Sequence, residues 1–396
     1  MDAPLQPKTI EDLRDAVLWA AAEETPLEVV GAGSKRGIGR PVQSAHVLDL
    51  SGLSGVELYE PAELVLTLKA GTPIAEVETL VDDSGQELSF EPADYGPLLG
   101  EDPGQGTIGG VLAANLAGPR RIKAGAARDH ILGMEAVSGR GEIFKSGGRV
   151  VKNVTGYDLP RALCGSWGTL AIAGVVTLKV NPKPQTSASL VLTGLNDRDA
   201  VTAMCKAMGS SCEVSGAAHL PGGSGRDGAR TLLRLEGFQE SVAYRLEHLR
   251  RMFEAQHPAS VLDEADSLKS WRSIRDVEPF WSLEGPVWRI SVTPTEGPSV
   301  VSILSDQFDL DAFYDWSGGL VWLVCTDGDL HDADIRRALA QSGGGHATLI
   351  RATPSQRLST EVFEPQPGPL KALSKRLKDQ FDPKGILNPG RMGAHI

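Results

Sequence analysis

Two glycine-rich stretches carry the residues best suited to hold an anionic ligand. The first is Gly31-Ala-Gly33-Ser34-Lys35-Arg36-Gly37, and the second is Gln105-Gly106-Thr107-Ile108-Gly109-Gly110. Consecutive backbone amides in a glycine loop can form an anion nest, and Lys35 and Arg36 supply counter-charge. The double glycine leads into VLAANLAG, a helix of small residues that a flat ligand can approach, and its first turn is expected to offer unpaired amides. A surface hairpin loop would also explain the first stretch, and close helix–strand packing would explain the alanines of the second. A third stretch, Gly147–Val180, holds Lys152, Asn153 and Tyr157 before the tight turn Gly165-Ser-Trp-Gly168 and an alternating strand, Val175–Val180. Glycines beside convergent polar groups suggest a ligand-lined turn feeding a core strand; ordinary turn glycines in a packed β-α-β unit are the plainer alternative.

The first loop does not match a nicotinamide-dinucleotide fingerprint. That motif needs a helix directly after the glycines. Here Gly39-Arg40-Pro41 follows, and then His46–Leu50, which reads as a strand. The context is strand–loop–strand.

The elements that must position these loops can be read in order. Thr9–Ala22 is expected as a helix capped by Thr9, with Asp12 three residues on. Leu27–Val30 reads as a short buried strand, Glu63–Ala70 as a strand and Pro73–Asp83 as a helix. A strand at Met134–Ser138 and a hairpin into Glu142–Lys145 follow. Beyond Pro184, strands near 189–192, 213–219, 231–236, 287–292 and 349–351 alternate with helices at 197–208 and 240–253 and a helical insert through Trp271. This predicts an α+β layer. Lys371–Gln380 reads as an amphipathic helix, and FDPKGILNPGRM ends the chain as an irregular tail that something must pin.

KNVTGYDL followed by GSWGTLAIAGVVTLKV resembles the FAD-binding subunits of the vanillyl-alcohol-oxidase (PCMH-type) superfamily, and within it the E subunit of bacterial glycolate oxidase. The resemblance spans nearly the whole chain. It implies an α+β fold: a PCMH-type FAD-binding domain of two α+β subdomains over 1–184, a smaller α+β cap over 185–370, and a C-terminal helix and tail, 371–396, returning to the FAD domain. It carries noncovalent FAD onto Gly31, Gly33, Ser34, Lys35 and Gly37, onto Thr107, Ile108, Gly109, Gly110, Asn115 and Gly118, and onto Arg128, Asp129, Gly168, Ile172 and Val175. Many relatives have an acidic residue where this chain has Gly174, so any role of that carboxylate is absent here.

Composition narrows the partners. Lys and Arg total 39 against 51 Asp and Glu, a formal net charge of −12, which opposes nucleic acid as the main partner. One basic run, Arg120-Arg121-Ile122-Lys123 with Arg128 beyond, goes against that balance. The four cysteines (Cys164, Cys205, Cys212, Cys325) show no C-x-x-C spacing, so no iron–sulfur or zinc framework is written. Scattered cysteines fit a reducing cytosol, and neither a signal peptide nor an 18-residue apolar run is found. A cytoplasmic location is expected, peripheral to a membrane only through partners.

A 2-hydroxyacid dehydrogenase needs a cation for the substrate carboxylate and a base for the hydroxyl proton. Arg275 is a candidate clamp and His346 a candidate base; a surface arginine and a structural strand-start histidine are the competing readings. No metal-ligand pattern appears. The expected function is therefore an FAD-binding subunit of a glycolate oxidase-like complex, acting on glycolate with a second FAD subunit and an iron–sulfur subunit. A self-sufficient flavin dehydrogenase of the D-lactate type and a scaffold that lost its flavin are the alternatives.

Overall fold

In the computed structural model, which describes residues 3–150, 156–222 and 228–393, the chain divides into two compact units. The first comprises 1–117, 125–183 and 357–396, and the second 118–124 and 184–356. The segments 118–124 and 357–370 thus fall in the opposite unit from the one their place in the sequence suggested. Lys152 and Asn153 lie outside the described residues.

The first unit opens with the helix Ile10–Ala22. Thr9 caps it, its hydroxyl accepting from Asp12 N while Asp12 accepts from Thr9 N, a reciprocal capping box. Leu13, Val17 and Ala20, three and four residues apart, form its buried face. They pack on Leu27, Leu48, Val137, Ile172, Ile386 and Leu387 in one apolar cluster. Leu27–Val30 pairs in parallel with His46–Asp49, so the glycine loop does run from strand to strand with no helix directly after it. An antiparallel sheet of five strands follows, in the order Val56–Glu60, Val65–Lys69, Ala171–Lys179, Ile131–Ser138, Ile143–Gly147. Its central strand, Ala171–Lys179, carries the glycine turn at its start.

The second unit is an antiparallel sheet of eight strands. Their order is Ala259–Leu262, Thr186–Thr193, Arg230–Gly237, Gly216–Leu220, Leu310–Asp315, Leu320–Cys325, Val287–Ser291, His346–Arg351. The hairpin Leu310–Cys325 sits in its middle, although residue pattern alone did not reveal it. Its turn is built by Trp316 and Ser317, both left-handed at φ 50° and 62°, a conformation that residue type alone does not announce.

The C-terminal tail is pinned by a buried ion pair. Lys378 Nζ donates to Asp382 at 2.6 Å, to Thr169 O at 2.6 Å and to Leu387 O at 3.1 Å. Asp382 also accepts from Ile386 N and Leu387 N at 3.1 and 2.8 Å. Removing one partner strands a buried charge, which costs about 3–5 kcal/mol. Asp382→Ala is therefore expected to lower stability by about that amount, measured by chemical denaturation; a change within about 0.5 kcal/mol would show that the pair holds nothing.

Candidate functional site

The loop after Leu27–Val30 rests on the start of the helix Ile108–Ala114. A Cβ on Gly31 would lie 2.3 Å from Thr107 Oγ1, so only glycine permits this approach. Gly33 takes φ 80° and lets the chain turn back, with Arg36 N donating to Gly33 O at 3.0 Å. Among the described residues the amides of Ala32, Gly33, Ser34 and Lys35 have no acceptor. Those four donors border a cleft of about 480 Å³.

The helix itself does not supply the donors expected of it. Ile108 N donates to Thr72 O at 3.0 Å, Gly109 N to Ala70 O at 2.7 Å, and Gly110 N to Thr107 Oγ1 at 3.3 Å. Its first turn is engaged by the carbonyls of Ala70 and Thr72, just past the strand Val65–Lys69, and by its own cap, so the nest lies in the loop alone.

The charge around the cleft is positive. Lys35 Nζ lies 3.5 Å from where a Gly106 Cβ would stand and 3.8 Å from that of Gly110. Burial lowers its pKa to about 8, with Asp94 opposing the shift. Arg391, buried, is brought down to about 10 by the same desolvation, which Glu28 partly offsets. Its guanidinium donates to Lys35 O at 2.9 Å, stands 3.8 Å from Glu28 and lies 5.8 Å from the Trp167 ring centre. Glu28 also binds Arg36 through two hydrogen bonds, which raises the Arg36 pKa. Buried Arg357 donates to Gly39 O at 2.9 Å and Arg36 O at 3.3 Å, while its Nε has no partner. Among the described residues Glu28 therefore pairs with Arg36 and Arg391, Asp94 acts on Lys35, and Arg357 is held by backbone carbonyls. Unfilled amides beside the buried cations Lys35, Arg357 and Arg391 suit a diphosphate.

A second cleft of about 480 Å³ borders Val29 and Ala113, as the first does, and is mostly apolar, with Leu112, Met134, Leu163 and Ile172 in its wall. Cys164 also borders it, its thiol donating to Leu112 O at 3.0 Å.

The residues singled out in the sequence distribute unevenly. Gly31, Gly33, Ser34, Lys35, Thr107 and Gly110 line the first cleft, and Gly109, Gly168 and Ile172 the second. Gly37 packs against Leu99, and Ile108 is wholly buried. Asn115 ends the helix in the left-handed region and accepts from Arg128 N, while Asp129 caps Ala126 N. Val175 sits in the ladder opposite Lys69 and Glu135 and lines neither cleft. Gly118 belongs to the second unit, where its carbonyl accepts from Trp316 Nε1. Tyr157 is 87% exposed.

Arg275 and His346 are not brought together. Arg275 is held by Asp276 through two bonds of 2.8 Å, on a helix packed against Thr186–Thr193. His346 opens the strand at the far edge of the same sheet and is exposed. Sequence reasoning missed Glu28, Trp167, Arg357, Asn388 and Arg391. The last two come from the proline- and glycine-rich tail, whose only signal was that such a segment must be pinned.

The family model "FAD binding domain" matches residues 1–147. Two solved structures share the fold: 4-ethylphenol oxidase from Gulosibacter chungangensis (TM-score 0.70) and p-cresol methylhydroxylase (TM-score 0.69). Each is 15% identical, covering 98% of this chain and 88% of its own. The chain is an FAD-dependent oxidoreductase with the PCMH-type FAD-binding fold, and its cofactor is FAD. Over 385 residues it is 34% identical to glycolate oxidase subunit GlcE of Escherichia coli (strain K12), covering 97% of both chains. A D-lactate dehydrogenase of Archaeoglobus fulgidus is 24% identical over 432 residues, covering 98% of this chain and 90% of its own. The chain belongs to the GlcE family of glycolate oxidase subunits.

Two expectations follow for the cleft. A Cβ on Gly110 would meet only Thr107 Oγ1 at 3.3 Å and Lys35 Nζ at 3.8 Å, whereas one on Gly109 would strike Ala70 O at 2.7 Å. Gly110→Val should fold and lose FAD, and Gly109→Val should lose stability first; circular dichroism and flavin content on both variants separate the two. Equal flavin retention in a folded Gly110→Val would contradict the assignment.

The second concerns pH. An anion bound beside Lys35 favours its charged form, so FAD affinity should be flat below the free-protein pKa of about 8. Above it, affinity should fall by up to about tenfold per pH unit until the raised pKa of the complex is passed. FAD titrations of the apoprotein should show this slope, and Lys35→Met should bind more weakly without it. A pH-independent wild type would remove Lys35 from the site.

Proposed function

We propose that this chain is the FAD-binding subunit of a multi-subunit 2-hydroxyacid dehydrogenase that oxidises glycolate to glyoxylate. Electrons leave through a partner iron–sulfur subunit, and a second flavin subunit completes the assembly. The observation that carries the reading is an imbalance. The anion cleft has its amide donors and cations in place, while the sequence's two candidates for substrate chemistry, Arg275 and His346, stand at different ends of one sheet.

When bound, the flavin supplies hydride acceptance, which no side chain can. The protein's own residues supply the rest. The Ala32–Lys35 amides, Lys35 and Arg391 would hold the diphosphate, Glu28 keeps Arg36 and Arg391 oriented, and Trp167 backs Arg391. The apolar second cleft would exclude water from a flat part of the cofactor. The reading is of noncovalent FAD. Cys164 borders that cleft, but burial pushes its thiol up to about 12, far from the thiolate that attachment requires. The full-length relationship to a protein named as a glycolate oxidase subunit supports assembly with partners. Among the described residues no helix is long and apolar enough to cross a membrane, and no cluster of three metal-ligating side chains occurs.

The test has two stages on one preparation. Acid precipitation should release all the flavin into the supernatant; colour staying with the pellet would refute noncovalent binding. The native holoprotein, mixed anaerobically with glycolate, should bleach slowly or not at all by itself and fully once the partner subunits are added. Fast, stoichiometric bleaching of the isolated chain would favour a self-sufficient dehydrogenase.

A further inference from the structure

The helix Gly368–Phe381 is anomalous for a water-exposed element. Of its 14 residues only Lys378 is buried, and only Ser374 and Phe381 are half-buried. It has no side-chain cap at its start, where Pro367 precedes Gly368 and Pro369. Apart from the buried Lys378–Asp382 pair at its C-terminal end, its charge pair, Lys375–Asp379, is exposed and worth only about 0.3–0.5 kcal/mol. A helix of this length is marginal in water unless an apolar face is packed. It does have such a face. Leu370, Leu373 and Leu377 are 53%, 54% and 37% exposed, and their spacing places them within about 60° of one another around the axis.

We infer that the Leu370–Leu373–Leu377 face is the docking surface for another subunit of the same complex, one offering an apolar groove with carboxylates at its rim. This rests on the multi-subunit reading above. The charge argument selects the occupant. Arg376 lies about 60° beyond Leu373 on the helix, and neither it nor Lys371 has a carboxylate partner among the described residues. The helix is thus a basic-edged apolar stripe on a chain of net charge −12. Pairing with a second copy through a two-fold axis would set like basic edges against each other. An anionic lipid surface would repel the remainder of the chain. A partner protein with an acidic rim satisfies both the leucines and the arginine.

The full-length, FAD-loaded chain is co-expressed with the flavin and iron–sulfur subunits from the same source. Hydrogen exchange should show amides 368–381 protected in the complex relative to the free chain. Leu373→Glu with Leu377→Glu should cut recovery of the partners by about tenfold or more, with flavin content unchanged. Arg376→Glu should weaken the complex and flatten the dependence of its dissociation on added salt. A complex that forms equally well with the double variant, with no protection over the helix, overturns the inference while leaving the multi-subunit reading intact. No complex with the wild type overturns both. Concentration-dependent self-association abolished by the double variant would assign the face to a second copy. Binding to phosphatidylglycerol vesicles abolished by it would assign the face to lipid. Either result overturns the proposal.

Discussion

The strand Leu27–Val30 keeps its place because the end of the chain comes back to it. Leu27 N donates to Ile386 O at 2.8 Å, and Asn388 N returns to Leu27 O at 3.0 Å. Asn388 Oδ1 accepts from Val29 N at 2.8 Å, while its amide donates to Trp167 O at 2.8 Å. The strand therefore has His46–Asp49 on one edge and the tail on the other. The glycine loop starts one residue later, so its position is inherited from this clasp. The buried Lys378–Asp382 pair is what orders the tail, since Asp382 fixes the backbone of Ile386 and Leu387. A short strand of four residues paired on one side only would fray; the second edge is what makes it a platform.

The same tail also sets the electrostatics. Arg391 reaches the cleft three residues after Asn388, and its burial makes its charge costly without an anion opposite. Lys35 is in the same position. A chain with an overall excess of carboxylates has gathered four cations at one loop, where among the described residues Glu28 pairs with Arg36 and Arg391 and Asp94 acts on Lys35. In water such a cluster would disperse; here backbone carbonyls of Lys35, Arg36 and Gly39 hold the guanidiniums in place. The dehydration of Lys35, Arg357 and Arg391 favours whichever anion enters, which is how a site is made selective for a diphosphate over an apolar ligand.

Local sequence determined those features whose cause is local. The Thr9–Asp12 capping box sets the start of the first helix, and the left-handed turn at Gly33 calls for glycine. The absence of a helix after that loop was legible from Gly39-Arg40-Pro41, and with it the exclusion of a nicotinamide fold. The long GSWGTLAIAGVVTLKV match carried the family. Alternation placed most strands within a few residues of their ends.

What the sequence could not decide depends on contacts between distant residues. Gly109 and Gly110 are identical neighbours, yet one meets the Ala70 backbone and the other lies beside Thr107 and Lys35 at the first cleft, because the helix start is held by the carbonyls of Ala70 and Thr72. The helix amides, open by sequence, are occupied by Ala70 and Thr72 carbonyls brought from another turn of the chain. Asn388 and Arg391 are more than 350 positions from the loop they serve, as their bonds to Val29 and Lys35 span 359 and 356 residues. Arg275 and His346 looked available for chemistry, but a sheet of eight strands separates them. Residue type and spacing fixed which groups could bind an anion; the folded backbone alone chose which of them are dehydrated, and dehydration is what gives a charge its binding strength.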